Sequence, residues 1–305
     1  MNNTNQDQEI NWLKAEIFLK GPILNRTTLM ELMNKYNAEI RHNHNELNLN
    51  GIKRLLTSKY TLLKEIRILH KSNVVIRYIP TYLSVSPLEI ALSIAGKKAY
   101  LSHLSALYMH GLTDLNPTEI YINEEQSPKP INKKNAVLTQ EKVDKAFAKP
   151  VRTTSNKATF IHNNVSYSVT ILNGKNTNYL GVTSLENSKT SSRVRVSSIE
   201  RSLIEATVRP NYSGGVKQVL ESFERAENLI SILKLTRLMD RFSYIYPYGQ
   251  SLLFYAKFAG YSVEKLTNIS KISPDKHINF YLDHQIINPK LEEESKVFYP
   301  GDLDY

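Results

Sequence analysis

Cysteine is absent from this sequence, only one tryptophan occurs, and glycine contributes just 11 of 305 residues. Without cysteine the chain can form no disulfide and has neither a thiolate metal ligand nor a cysteine nucleophile. No apolar run approaches the roughly 18 residues needed to span a bilayer. The polar start MNNTNQDQEI has two acidic residues and no basic one, and is unlike a signal peptide. We therefore expect a cytoplasmic protein without a membrane partner.

The common signatures of catalysis are also missing. No GxxxxGK[ST], GxGxxG, HExxH or GxSxG pattern occurs. A nuclease of the PD-(D/E)xK kind could use Asp114 and Glu119, but no lysine lies two residues after Glu119. We therefore expect no enzymatic activity and no cofactor. A nuclease-like enzyme remains the alternative, tested by metal-dependent cleavage that depends on those two residues.

The histidines do not have the spacing of metal ligands. His103 and His110 are seven residues apart on a predicted helix, whereas a helical metal pair is usually four apart. His110 is expected to satisfy carbonyl groups at the end of that helix. His42 and His44 lie in a polar loop with asparagine neighbours. We therefore expect no metal site.

Basic residues exceed acidic ones by 10, and the sequence pI is about 9.4. Such an excess favours a polyanionic partner, most often nucleic acid. Residues 1–86 hold 12 basic and 7 acidic residues, a net charge of 12 − 7 = +5. The C-terminal end is acidic instead, and we expect it to be a mobile, solvated strip. Its charged residues are Glu292, Glu293, Glu294, Asp302 and Asp304, against Lys296.

The N-terminal segment predicts three helices and a strand. The first helix covers Asn11–Leu19, and the second opens at Asn25. A third pattern with apolar residues on one face runs from about Gly51 to His70, with a break near Thr57 as the alternative. The strand Val74–Ile79 follows. This order is typical of a winged helix-turn-helix.

Basic residues lie on the third predicted helix and on the strand after it. We expect them to contact DNA, although a solvated basic helix face is the other interpretation. They are Lys53, Lys64, Arg67, Lys71 and Arg77.

A domain boundary is predicted near Thr81–Val85, because Ser86, Pro87 and Glu89 form a helix start. We therefore divide the chain into 1–85 and 86–305. The larger second part alternates helix and strand and ends in an α-rich region, so the chain is predicted to be α+β.

Two charged groups in the second part have simple interpretations. Arg201 and Glu205 are an i, i+4 helical pair, and Glu200 completes a capping box with Ser197, so stability explains them. In SSRVRVSS the valines are expected inside and the arginines outside. Arg193 and Arg195 form a basic face that could grip phosphates or acidic side chains, or could merely keep an exposed strand soluble.

Three stretches together resemble a known family. They are YLSHLSALYMHGLTD with IYIN after it, VRVSSIERSLIEATVRPNYSGGVKQVLESF, and YGQSLLFYAKFAGY. In this order, over roughly residues 87–260, they are similar to the AbiEi-type antitoxins of abortive-infection (type IV toxin–antitoxin) modules. Residues 262–305 lie beyond the resemblance.

The resemblance implies a function. The N-terminal winged helix would bind inverted repeats upstream of the protein's own operon, and the C-terminal domain would supply the antitoxic activity. The implied partner is a nucleotidyltransferase-like toxin, opposed without a stable complex, and we expect a monomer in solution that binds DNA cooperatively. Within the first motif Ser105, Tyr108, His110 and Gly111 would be structural. A module that binds a toxin through its acidic tail and helical end is a further alternative.

Overall fold

The computed structural model of the chain describes residues 2–41, 45–128, 137–272 and 277–303. Helices and strands are mixed along it, so the α+β prediction is confirmed. None of the helices in these ranges is both long and apolar enough to cross a membrane. His42, His44 and Asp304 lie outside the described residues.

The elements up to residue 123 are α1 (Asn2–Lys20), α2 (Arg26–Glu39), α3 (Leu49–Arg54) with a π-helical turn (Leu55–Lys59), β1 (Leu63–His70), β2 (Asn73–Pro80), α4 (Pro87–Leu92), β3 (Tyr100–Leu101), α5 (His103–Met109) and β4 (Glu119–Asn123). Those after it are α6 (Gln140–Phe147), β5 (Lys157–His162), β6 (Val165–Leu172), β7 (Val182–Leu185), β8 (Val194–Ser197), α7 (Ile199–Val208), a 3₁₀ turn (Pro210–Tyr212), α8 (Gly215–Ala226), α9 (Ile232–Phe242), α10 (Tyr248–Phe258), α11 (Val263–Ser270), β9 (Phe280–Tyr281), β10 (Lys290–Glu292) and β11 (Val297–Tyr299).

Packing divides the chain into two compact units. The first comprises Met1–Lys98, Asn156–Thr170 and Leu185–Val194, and the second comprises Ala99–Ser155, Ile171–Ser184 and Arg195–Tyr305. The predicted single division after residue 85 differs from these units, because β5 pairs with β1 inside the first unit. A pairing between strands so far apart in sequence leaves no local signal.

The first unit begins with two capped helices. Gly21 ends α1 with a φ of +91°, a conformation that glycine adopts without strain. The side chain of Asn25 accepts a hydrogen bond from the backbone N–H of Thr28, whose hydroxyl accepts one from Asn25, so α2 starts in a reciprocal capping box. The start of the second helix at Asn25 is therefore confirmed.

The long third helix predicted from Gly51 to His70 is wrong. The helix ends within Leu55–Lys59, and residues 63–70 form β1, which pairs with β2 along its whole length. The apolar residues of LLKEIRIL fit both the helical period of 3.6 residues and the strand period of 2. Pairing with β2 selects the strand. Leu69, expected on the buried helix face, is 52% exposed.

A backbone bridge ties the helices to the hairpin. Leu24, in the connection between α1 and α2, exchanges two backbone hydrogen bonds with Tyr78 of β2, at 2.8 and 2.9 Å. Both side chains are buried in one core with Leu29 and Ile52. The first unit thus begins with three helices and a β-hairpin joined by this bridge, which is the order of elements expected of a winged helix.

The rest of the first unit adds two strands. β5 and β6 are joined by Asn163 and Asn164, whose φ angles of +48° and +63° suit a two-residue type I′ turn. The sequence HNN between two strand-like runs is a hairpin signal, and the structure has a hairpin there. Within this unit the strand order is β2-β1-β5-β6.

The second unit is built around helices. Its largest core lies among α5, α7, α8, α9, α10 and α11. β3 pairs antiparallel with β4 and parallel with β8. Tyr100, which the sequence placed on a helix, belongs to β3, and the helix α5 starts at His103. Gly111 follows the end of α5 with a φ of +72°, as expected of a residue that ends a helix. Ser198 rather than Ser197 caps α7.

The acidic C-terminal segment is folded, so the expected mobile strip is wrong over the described residues. β10 pairs with β11, and β11 lies parallel to β9. Val297 is fully buried in the core of the second unit. Lys257 of α10 neutralises Glu292 and Glu294 with ion pairs of 2.9 and 2.5 Å. Strand pairing, the burial of Val297 and the ion pairs with Lys257 hold this segment in place, and the charge count alone did not reveal it.

Candidate functional site

The helix α3 carries basic residues on the side that is not buried. The side chain of Asn48 caps its first turn by accepting from the N–H of Gly51 at 2.9 Å. Lys53 is half-buried with its ammonium 5.7 Å from the centre of the Tyr78 ring, and Arg54 is exposed. Lys53 therefore lies on a helix as predicted, and Arg54, which the sequence analysis did not select, is adjacent to it.

Lys64 and Arg67 do not lie on this helix, which corrects the sequence prediction. Both are on β1, and both are exposed. The side chain of Arg67 is 74% exposed and approaches Glu65 at 3.8 Å. Because successive strand residues point to opposite faces, positions 64 and 67 belong to different faces of the sheet rather than to one helical stripe.

Lys71 and Arg77, also expected on the third helix and the wing, differ in their surroundings. Lys71 lies in the two-residue turn between β1 and β2, with a φ of +55°, and is exposed at the hairpin tip. Arg77 is half-buried and donates through Nε (3.2 Å) and Nη2 (2.5 Å) to the carbonyl oxygen of Ser93. Burial lowers the pKa of Arg77. Arg77 therefore stabilises its own unit, and its contact with DNA stays a prediction.

Arg193 and Arg195 each have a partner inside their own unit. Arg193 precedes β8 and approaches Glu186 at 3.7 Å. The guanidinium of Arg195 stacks over the ring of Tyr179, with its carbon 5.1 Å from the ring centre. Val194 and Val196 are buried, as the alternation predicts. The expected strand with two outward arginines is corrected, since only Arg195 lies on it.

A buried charged cluster centred on Arg201 lies in the second unit. Its Nε donates to Glu205 at 2.7 Å, which confirms the i, i+4 pair. Its Nη2 donates to Glu125 at 3.0 Å and to the hydroxyl of Tyr100, and its Nη1 donates to Thr177 at 3.1 Å and to the carbonyl of Leu180. All five N–H groups of the guanidinium are thereby used, as burial of a charge requires.

Glu125 is the member of this cluster that sequence analysis missed. Burial alone would raise its pKa, but hydrogen bonds from Thr177, Tyr179 and Arg201 outweigh burial and lower the pKa. Glu205 accepts a further bond from the hydroxyl of Ser197 at 2.7 Å. Nothing in the spacing from residue 125 to residue 201 could have revealed the contact.

The helix α5 carries the two histidines weighed as metal ligands. His103 is buried with a φ of +50°, and burial lowers its pKa to about 4, so the ring is neutral near pH 7. His110 bonds through Nε2 to the carbonyl oxygen of Ser197 at 2.6 Å. The described residues contain no group of three or more acidic or histidine side chains placed to hold a metal ion.

Asp114 and Glu119, the two acidic residues of the nuclease alternative, interact with different residues. Asp114 forms a two-point ion pair with Arg225, one bond of which measures 2.8 Å, and its side chain is 84% exposed. The hydrogen bonds from Arg225 lower the pKa of Asp114. Glu119 begins β4 and interacts with Tyr121.

A cavity of about 470 Å³ opens beside the Arg201 cluster, wholly within the second unit. Residues 172–177, the end of α7 and the turn at Tyr212 form its walls. The guanidinium groups of Arg152 and Arg209 and the ammonium of Lys175 line it, together with Tyr212, Phe242 and Tyr244. Sequence analysis selected none of these residues.

Comparison with known proteins finds a likeness in fold to a solved structure. Neither a family model nor a curated protein matches the sequence. The fold is similar to that in the crystal structure of the RV2827C protein from Mycobacterium tuberculosis, with a TM-score of 0.56. The two chains are 12% identical, and the match covers 94% of this chain and 89% of that one. At this identity the likeness concerns the fold alone.

Proposed function

We propose that this protein is a DNA-binding autorepressor and antitoxin of an abortive-infection module. The observation that carries the DNA-binding part is the winged-helix arrangement of α1, α2, α3 and the β1–β2 hairpin in a chain of net charge +10. The antitoxic part is supported by the sequence motifs of residues 87–260 and remains a proposal from that resemblance.

In this proposal α3 enters the major groove and the hairpin tip contacts the backbone. Asn50, Arg54 and Ser58 are exposed at four-residue spacing, so they fall on one side of the helical segment. Lys53 is next to Arg54 and adjoins this exposed face of the helix. Lys71 at the hairpin tip is positioned as a phosphate contact, while Arg54 and Asn50 are of types that read base edges.

The positions of the family motif are consistent with structural roles. The hydroxyl of Ser105 accepts a hydrogen bond from the N–H of Tyr121 at 2.9 Å, which joins α5 to β4. His110 joins α5 to the end of β8 through the carbonyl oxygen of Ser197. In this proposal the second unit opposes a nucleotidyltransferase-like toxin without a stable complex, and it uses surfaces other than these buried contacts.

Fluorescence anisotropy tests the DNA-binding part. The full chain should bind the DNA upstream of its own operon more tightly than a shuffled duplex, with affinity falling steeply as salt rises. Replacing both Lys53 and Arg54 by alanine should weaken binding, because a phosphate contact of Lys53 and a base contact of Arg54 are lost, and the lost phosphate contact should reduce the salt slope by about 0.9.

The matched control is the double change Lys217→Ala and Lys234→Ala, which removes the same charge from exposed positions on α8 and α9. Equal affinity for native and shuffled DNA would remove the repressor function. An equal loss of DNA affinity in the control would mean that α3 contributes to binding only through its net charge.

A further inference from the structure

The cavity of the second unit has the size of a small-molecule site. Its volume of about 470 Å³ falls within the roughly 300–1,000 Å³ typical of ligand pockets. One wall is the loop at Gly174, whose N–H donates to Asn123 at 2.9 Å. A Cβ at position 174 would come within 2.8 Å of the Asn123 amide nitrogen, so the close approach that shapes this wall depends on glycine.

The charges that line the cavity favour an anion. Neither Arg152 nor Arg209 forms a salt bridge with a described residue; Nη1 of Arg209 donates to the carbonyl of Arg152 at 3.3 Å, and Asp283, which does not line the cavity, is an electrostatic neighbour of Arg209. Lys175 donates to the carbonyl of Phe242 at 2.9 Å, a neutral partner. The one acid on the lining, Glu205, is already paired with Arg201. Guanidinium groups that form no salt bridge are well suited to phosphate.

Aromatic rings line the remainder of the cavity. The ring of Tyr212 lies 5.6 Å from that of His103 and 5.4 Å from that of Tyr121, so its orientation is fixed by packing. Phe242 and Tyr244 contact each other edge to face at 5.9 Å. Such rings provide stacking surfaces for a planar base.

We propose that this cavity binds a free ribonucleoside 5′-monophosphate. Arg152 and Arg209 hold the phosphate, and the base lies against the aromatic residues Tyr212 and Tyr244. This site is separate from the DNA-binding surface proposed for the first unit, and a negative result for one leaves the other in place. The volume suits one nucleotide, so a free mononucleotide is favoured over a strand.

Isothermal titration calorimetry on the full chain tests the proposal. The probes are the four ribonucleoside 5′-monophosphates, the corresponding nucleosides, inorganic phosphate and a short single-stranded RNA. At least one monophosphate should bind about tenfold or more tightly than its nucleoside and than phosphate, because both parts of the ligand are contacted.

Arg209→Gln and Arg152→Gln should each weaken that binding about tenfold or more. Arg152 is exposed on a loop, so its variant keeps the fold even if Arg209→Gln does not. Arg237→Gln, at an exposed position of α9 outside the cavity, is the matched control and should bind as the unaltered chain does.

Three results would overturn the proposal. The first is that no monophosphate binds up to about 1 mM. The second is a loss of specificity, which can take two forms. Inorganic phosphate binds as tightly as any nucleotide does, or Arg237→Gln weakens binding as much as the cavity variants do. The third is that the RNA displaces the monophosphate and binds more tightly, which would assign the cavity to a nucleic-acid strand.

Discussion

Single buried residues determine how the second unit responds to pH. Arg201 is held between Glu125 and Glu205, and breaking such a buried pair by removing one partner typically costs about 3–5 kcal/mol. His103 lies nearby on α5, with its Nδ1 3.0 Å from the hydroxyl of Ser102. Burial outweighs the opposing charge of Glu205 and lowers the pKa of the imidazole, which is therefore neutral near pH 7.

The depressed pKa of His103 predicts a loss of stability in mild acid. The folded pKa of about 4 lies below the ordinary value of 6.5, so the unfolded chain takes up the proton first. The contribution of the neutral His103 ring to the free energy of unfolding is complete above pH 6.5 and is lost as the pH falls towards 4. A difference of this size corresponds to about 3 kcal/mol in the free energy of unfolding.

The variant His103→Asn separates this effect from the other titrating groups. Asparagine tolerates a positive φ and does not titrate. Urea unfolding at a series of pH values should show a shallower fall for this variant than for the unaltered chain. The exposed His277→Asn is the control and should keep the original slope. Parallel curves for His103→Asn would contradict the assignment.

At the scale of elements, the segment after Lys59 shows how pairing overrides periodicity. Leu62, Leu63 and Ile66 fit a helical face in the sequence, yet the chain leaves the helix through Thr61, which has a φ of +49°. Eight consecutive residues of β1 then pair with β2. The backbone bonds and the burial of Ile66 and Ile68 in the sheet are available only once both strands exist.

The β5–β6 hairpin allows an element-scale test. Asn164 has a φ of +63°, where a β-branched residue is strained by about 1–2 kcal/mol. Asn164→Val should lower the free energy of unfolding by about that amount, whereas Asn164→Gly should change it little. Denaturant unfolding of the three chains measures both differences. Equal stability of the valine and glycine variants would mean that the turn is not of the type I′ kind.

At the scale of the molecule, two compact units correspond to the two activities that we propose. The first holds α1, α2, α3 and the β1–β2 hairpin, and the second holds the cavity and the sequence stretches that resemble the antitoxin family. The units interleave along the chain, so a simple truncation after residue 85 would remove β5 and β6 from the first unit. Point variants are therefore the appropriate way to separate the activities.

The Lys53→Ala and Arg54→Ala double variant should lose operator binding but keep toxin neutralisation. Both side chains belong to the first unit, and the antitoxic activity is proposed for the second. Colony survival measures this when the adjacent toxin and the variant are expressed from promoters that do not contain the operator. The Lys217→Ala and Lys234→Ala variant is the matched control. Loss of survival in the α3 variant alone, at unchanged thermal stability, would contradict the division of labour.

The sequence by itself determined the features that depend on neighbouring residues. The helix starts at Asn25 and Ser86, the helix end at Gly111 and the Asn163–Asn164 hairpin all follow from local hydrogen bonds and φ preferences. The Arg201–Glu205 pair was equally accessible, because four-residue spacing places two side chains together on a helix. The α+β class follows from the sum of such local patterns.

Only the tertiary structure decided the features that require distant segments to meet. In the tertiary structure Lys64 and Arg67 lie on a strand, and Arg77 donates to the carbonyl of Ser93. The acidic segment at residues 290–299 packs against α10. The tertiary structure also brought Glu125 to Arg201 and assembled the cavity. These contacts gain their stability from burial and long-range pairing, which the order of residues along one element does not encode.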